Sequence, residues 1–370
     1  MIRVGVLTSS RADFGIYLPL LKKFNGDKAF EIEIIAFGTH LSPFYGYTVE
    51  QIEKEGFEVK HRVESMLLTD SSASIATAMG LTTIKFGEFW KAHSEDFDLI
   101  FCLGDRFEMF SAVMAGVPFN ISFAHLHGGE TTLGAIDNVF RHSITLASKY
   151  HFVATSQSVK KVAAITGSNE NIYYVGALSL DNLNSISLLS IEEFKKKWNV
   201  DFSKKTILIT FHPETVAFNK NIQYVNELIQ LIDALPEYQI LITMPNADTA
   251  GNVIRRVFNE NYTNSNSVYL VENLGSTSYF SAIKHCSFLL GNTSSGIIEA
   301  ASFGKKVINI GDRQKGRDYG SNVLQTPIDK KSILDAINII ESDNTPTTDN
   351  FYYNGGAAKK IIEIIKSIDL

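Results

Sequence analysis

Cysteine is nearly absent from this chain of 370 residues, which holds only Cys102 and Cys286. Both sit in apolar runs, LIFCLG and KHCSFLL, and read as small buried hydrophobes of a reducing compartment. A disulfide framework and a cysteine metal site are excluded. Blocks of positive charge are missing too: 34 Lys and Arg stand against 40 Asp and Glu, a formal net charge of −6. No basic face exists to neutralise a phosphate backbone, so no nucleic-acid partner is expected. A small anionic ligand stays open, because local dipoles bind one without net positive charge. No apolar run approaches the roughly 20 residues that cross a bilayer. The opening MIRVGVLTSSRADFG has too short an apolar stretch for a signal-peptide core and reads as a first strand. The expectation is a soluble, cytoplasmic protein with no membrane partner. Short repeats, low-complexity segments, GxGxxG and the Gly-Lys-Ser/Thr of a P-loop are all lacking.

What is present is a steady alternation of short apolar runs with longer amphipathic stretches. Candidate strands are 3–8, 31–37, 99–103, 121–125, 151–154 and 173–175, then 206–210, 239–243, 268–270, 288–290 and 307–310. Most are continuously apolar rather than alternating, the pattern of parallel strands buried on both faces. Candidate helices between them include 16–24, 72–92, 222–234 and 296–303. The fold class expected is α/β, with two doubly wound, Rossmann-like domains. A chain of this length is about twice a usual domain. We place the domains at 1–178 and 190–350, with the linker in the aperiodic stretch 180–190. A last segment, 351–370, carries a helix from Ala357 that is free to pack back on the first domain. Ligands of such sheets sit beyond the carboxyl ends of strands, which places the expected site in a cleft between the domains.

Chemically loaded residues fall repeatedly on those strand ends. The first strand runs into SSRADFG, a small-residue turn with Arg11, readable as a phosphate-approach loop or as a capped helix start. The 99–103 strand ends in LGDRFE, placing Asp105 and Arg106 behind a glycine; the plain alternative is a helix cap with an ion pair. HLHGGE follows the next strand. His125 and His127 would share a strand face, but no acid at ligand spacing completes a set, so no metal is expected. The two glycines admit a ligand closely and leave Glu130 placed for acid–base work. Asp137 and Arg141, four apart at a helix start, share a face and read by spacing alone as a structural pair.

In the second half, His212 of FHPET ends a strand and can titrate near neutrality or meet a phosphate. Asn246 lies in another polar cluster at a strand end. GNTSSGIIEA is the strongest physical signal: a strand stops and a helix begins at Ser294, Ser295 and Gly296. Free backbone N–H groups, two hydroxyls and the helix dipole there suit a diphosphate, with Glu299 one turn on for a ribose. A capped helix that binds nothing is the alternative. Arg313 in GDRQKGR is a natural partner for phosphate or a departing anion.

Together SSRADFG, LGDRFE, HGGE with DNVFRHSIT, FHPET, GNTSSGIIE and INIGDRQKGR resemble, in order, the UDP-N-acetylglucosamine 2-epimerase family. The resemblance is to its hydrolysing branch, used in sialic-acid-type sugar biosynthesis. Where the non-hydrolysing branch opens on a GTRPE-like motif and has EAG, this chain has SSRAD and HGGE. The resemblance implies a glycosyltransferase-B-like arrangement of the two domains. It also implies loss of UDP across C1–C2 of UDP-N-acetylglucosamine to give 2-acetamidoglucal, then hydration to N-acetylmannosamine. No cofactor is implied, and a homodimer is. By motif, Asp105 and Glu130 are similar to the principal catalytic carboxylates, with Asp137 a third and His212 the histidine near the diphosphate. Arg11, Ser294, Ser295, Gly296, Glu299 and Arg313 match nucleotide-binding positions, and Arg106 and Asn246 sugar or phosphate contacts. Four alternatives stay open. They are a related epimerase of a UDP- or GDP-linked diacetamido sugar (the legionaminic acid pathway), a non-hydrolysing UDP-N-acetylglucosamine 2-epimerase, and a glycosyltransferase or silent nucleotide-sugar sensor of the same fold.

Overall fold

A computed structural model describes residues 1–67, 71–184, 186–214, 216, 218–245, 251–343, 345 and 350–370. The chain folds as two units. The first comprises Met1–Glu130, Asp137–Asn184 and Phe351–Leu370; the second comprises Thr131–Ile136 and Ser185–Asn350.

The first unit holds β1 (Ile2–Thr8), β2 (Phe30–Phe37), β3 (His61–Val63), β4 (Leu99–Leu103), β5 (Phe123–Leu126), β6 (Tyr150–Val153) and β7 (Ile172–Tyr174). They form one sheet in the order β3-β2-β1-β4-β5-β6-β7. Every pairing is parallel. Short β-branched and aromatic runs such as LIFCL suit strands covered on both faces, and all five residues of β4 are buried. One face packs on Leu20, Leu21 and Phe24 of helix Arg11–Asn25 and on Ile361 and Ile365 of the last helix, Ala357–Ser367. The other packs on Phe86, Trp90, Met109 and Val113 of helices Ser72–His93 and Phe107–Gly116. Asp181 caps the last helix, its carboxylate accepting from Ala357 N at 3.0 Å and Ala358 N at 2.7 Å.

The second unit repeats the plan with β8 (Thr206–Thr210), β9 (Gln239–Thr243), β10 (Val268–Val271), β11 (Phe288–Gly291), β12 (Val307–Ile310) and β13 (Val323–Thr326), ordered β10-β9-β8-β11-β12-β13. These too are all parallel. The fold is α/β with two doubly wound units. Strand order reverses between β1 and β4 in the first sheet and between β8 and β11 in the second, the points where such sheets open a crevice for ligands. Among the described residues, no helix is long and apolar enough to cross a membrane.

The chain enters the second unit briefly at Thr131–Ile136. There Leu133 N donates to Lys315 O at 3.0 Å and Val216 N to Gly134 O at 3.4 Å. A Cβ on Gly134 would lie 2.4 Å from Asp312 O, so only glycine lets these two backbones meet.

Candidate active site

In the first unit the reversal point is built from the ends of β1 and β4. Ser10 caps helix Arg11–Asn25 and Asp13 reaches back to Ser9, accepting from its hydroxyl at 2.6 Å and its N–H at 3.0 Å. Arg11 is the first helical residue and is exposed. Beside this turn His40 is buried, its Nε2 2.9 Å from Thr8 Oγ1 and its Nδ1 2.8 Å from Thr48 Oγ1. Burial drives its pKa down to about 4, so it is a neutral structural link.

Beyond β4, Gly104 turns the chain at φ +74 and presents Asp105. Arg106 folds onto Glu108 through Nε and Nη2 at 3.2 and 2.8 Å, and that glutamate is buried. The paired-ion reading of LGDRFE therefore describes Arg106, while Asp105 takes a longer-range partner. That partner is Arg141, buried on helix Asp137–Ala147. Arg141 also donates through Nη1 to His127 O at 2.8 Å, and the same atom lies 3.8 Å from Glu130 Oε2. Glu130 Oε1 in turn is 2.7 Å from His127 Nδ1. Asp105, His127, Glu130 and Arg141 thus form one buried and half-buried cluster assembled from two strand ends and a helix. Asp137, half-buried, opens that helix.

The expectation that His125 and His127 share a face is corrected. β5 ends at Leu126, and His127 turns out of the strand at φ +63. His125 faces inward, its Nε2 2.9 Å from Gly104 O and its Nδ1 3.1 Å from Thr145 Oγ1, and burial lowers its pKa to about 3.

In the second unit Asn292 ties the ends of β8 and β11 together. Its Oδ1 accepts from His212 N at 2.7 Å and its Nδ2 donates to His212 O at 2.8 Å. Gln314 Nε2 donates to Asn292 O at 2.9 Å, bringing the GDRQKGR loop to the same place. Glu214 accepts from Asp312 N at 2.6 Å, and burial pushes its carboxyl up. After Asn292 the chain makes a helix of only five residues, Ser294–Ile298, capped by Thr293, then a 3-10 turn over Ala300–Phe303. The helix expected over 296–303 is therefore two short pieces, with Gly296 inside the first and Glu299, buried, at their junction. Gly296 sits where a Cβ would come within 2.9 Å of Val307 Cγ1, which fixes the helix close on β12. Ser294, Ser295 and Arg313 are half-buried around this turn. Asn246 lies outside the described residues.

Residues 22–366 match the family described as UDP-N-acetylglucosamine 2-epimerase. The chain belongs to the UDP-N-acetylglucosamine 2-epimerase family. It is 33% identical, over 100% of its own length and 97% of the relative's, to a UDP-N,N'-diacetylbacillosamine 2-epimerase (hydrolyzing) of Legionella pneumophila. It is 31% identical, over 99% and 94%, to the polysialic acid biosynthesis protein P7 of Escherichia coli. These relatives place it in the hydrolysing branch. The UDP-N-acetylglucosamine 2-epimerase of Neisseria meningitidis, solved with UDP-N-acetylglucosamine bound, superposes with a TM-score of 0.83 at 14% identity, covering 99% of this chain and 100% of that one. That likeness shows the shared glycosyltransferase-B-like fold. The protein is thus an enzyme of the hydrolysing nucleotide-sugar 2-epimerase kind.

Among epimerase residues the motifs did not single out, His40, His127 as a partner of Glu130, and Asn292 stand out. His40 carries no sequence signal beyond lying just past a strand end, and Asn292 lies inside the GNTSSGIIE motif without any mark of its partner.

Proposed function

We propose that this enzyme hydrolyses UDP-N-acetylglucosamine with inversion at C2, releasing N-acetylmannosamine and UDP for sialic-acid-type biosynthesis. Loss of UDP across C1–C2 gives 2-acetamidoglucal, and addition of water gives the free sugar. Elimination needs a base for the C2 proton and rehydration needs a proton donor. The observation that carries the reading is the cluster of Asp105, His127, Glu130 and Arg141 at the strand ends of the first unit, in a chain of this family. Asp105, Glu130 and Asp137 are assigned to the sugar, and Arg106 to its surroundings. His212, Arg11, Ser294, Ser295, Gly296, Glu299 and Arg313 are assigned to UDP. A homodimer in the cytoplasm goes with this reading.

A second reading is favoured by the 33% identity to the Legionella pneumophila enzyme, whose name gives UDP-N,N'-diacetylbacillosamine as its substrate. One experiment separates them: incubation with each UDP sugar in deuterated water, with proton NMR of the products. Free N-acetylmannosamine carrying deuterium at C2 is expected. Release from the diacetamido sugar alone selects the second reading, and a product without deuterium at C2 overturns elimination–addition.

A further inference from the structure

His127 has features that packing alone does not require. Its φ of +63 is a conformation that side chains adopt under strain, yet no glycine or asparagine stands there. The backbone is pinned by Arg141 Nη1 on its carbonyl at 2.8 Å and by its own N–H on Phe152 O at 3.1 Å. Glu130 Oε1 holds Nδ1 at 2.7 Å. An ionised carboxylate only accepts, so Nδ1 carries the hydrogen, and in the neutral ring the lone pair lies on Nε2. Among the described residues Nε2 has no partner, and the residue is only 8% exposed. Buried polar atoms nearly always find one, and an exception points to a group that arrives later.

Charge supports this. Asp105 and Glu130 contribute two negative charges and Arg141 one positive, leaving the cluster at −1 while His127 is neutral. Uptake of one proton at Nε2 brings it to zero. His125, which also faces this turn from β5, is kept neutral by burial and does not oppose it.

We propose that His127 Nε2 is the base that takes the C2 proton, with Glu130 as its positioning partner; this rests on the function proposed above and deepens it. The C2–H electron pair becomes the C1=C2 bond, and the C1–O bond breaks with its pair leaving on UDP. The proton stays on Nε2 as imidazolium against Glu130 and passes to water before the next turnover.

The test compares His127→Asn and His127→Gly with the wild type, using UDP-N-acetylglucosamine and UDP-N,N'-diacetylbacillosamine as probes. Asparagine tolerates the left-handed backbone and offers an amide N–H to Glu130, but places no atom at Nε2. The expected result is a fall in kcat of about 100-fold or more in both variants with KM and melting temperature held, and recovery of His127→Gly turnover by free imidazole. A His127→Asn enzyme with near-normal kcat overturns the proposal and leaves His127 a holder of Glu130. A wild type that releases UDP from neither sugar overturns the underlying reading, and this assignment with it.

Discussion

Arg141 forms an ion pair with Asp105 across 36 residues of sequence, and this pair joins the helix after HGGE to the turn after β4. The Arg141 side chain is 4% exposed and that of Asp105 23%. The guanidinium thus compensates a carboxylate far away in the chain rather than serving only its own helix.

Removing Arg141 takes the paired guanidinium away from Asp105. Breaking one side of a buried pair costs about 3–5 kcal/mol. Arg141→Met is therefore expected to shift the urea midpoint strongly downward. Adding Asp105→Asn to that variant should recover part of the loss, and simple additivity of the two changes in urea unfolding would show that they do not interact.

Asp105→Asn and Glu130→Gln are each expected to lower turnover by about 100-fold or more, the latter through its hold on His127. UDP affinity, read by calorimetry, should stay close to wild type. Near-normal rates of UDP release would remove both from the chemistry.

Asn292→Ala removes the amide that bonds His212 N and O at the end of β8. Losing a buried hydrogen bond costs about 1–3 kcal/mol. Weaker UDP binding and a lower melting temperature are expected together. Ser294→Ala with Ser295→Ala should weaken UDP binding while the melting temperature holds, since both side chains are half-buried.

Acid should destabilise the protein through its buried neutral histidines. Burial holds His40 and His151 at about 4 and His125 at about 3, against about 6.5 in an unfolded chain. These folded values are depressed, so between about 6.5 and 4 the unfolded chain binds more protons. The stability from keeping these rings neutral is complete above about 6.5 and declines as pH falls, by up to about 1.4 kcal/mol per pH unit and group. Thermal melts from pH 7 to 4 check this, and His151→Gln should flatten the slope.

Much of this molecule is legible in its sequence because buried parallel strands are written as continuous apolar runs. β4, β8, β9 and β12 can be read to the residue. β3 and β13 cannot: HRV and VLQT are three- and four-residue edge strands with polar side chains, paired on one side only. The candidate site is legible as far as strand ends collect polar residues. Pairings over long separations are not. Asn292 meets His212 across 80 residues, and no local spacing signals it. The left-handed turn at His127 is hidden as well, since a histidine before two glycines gives no sign that the bend has already begun.

The last helix has a consequence for biosynthesis. Ile361 and Ile365 fill the same core as Phe24 and Phe101, and Asp181 waits for the N–H groups of Ala357 and Ala358. A ribosome building this chain therefore makes the whole second sheet before the first can close its core. Until then the apolar face that this helix covers in the first sheet stays open to water.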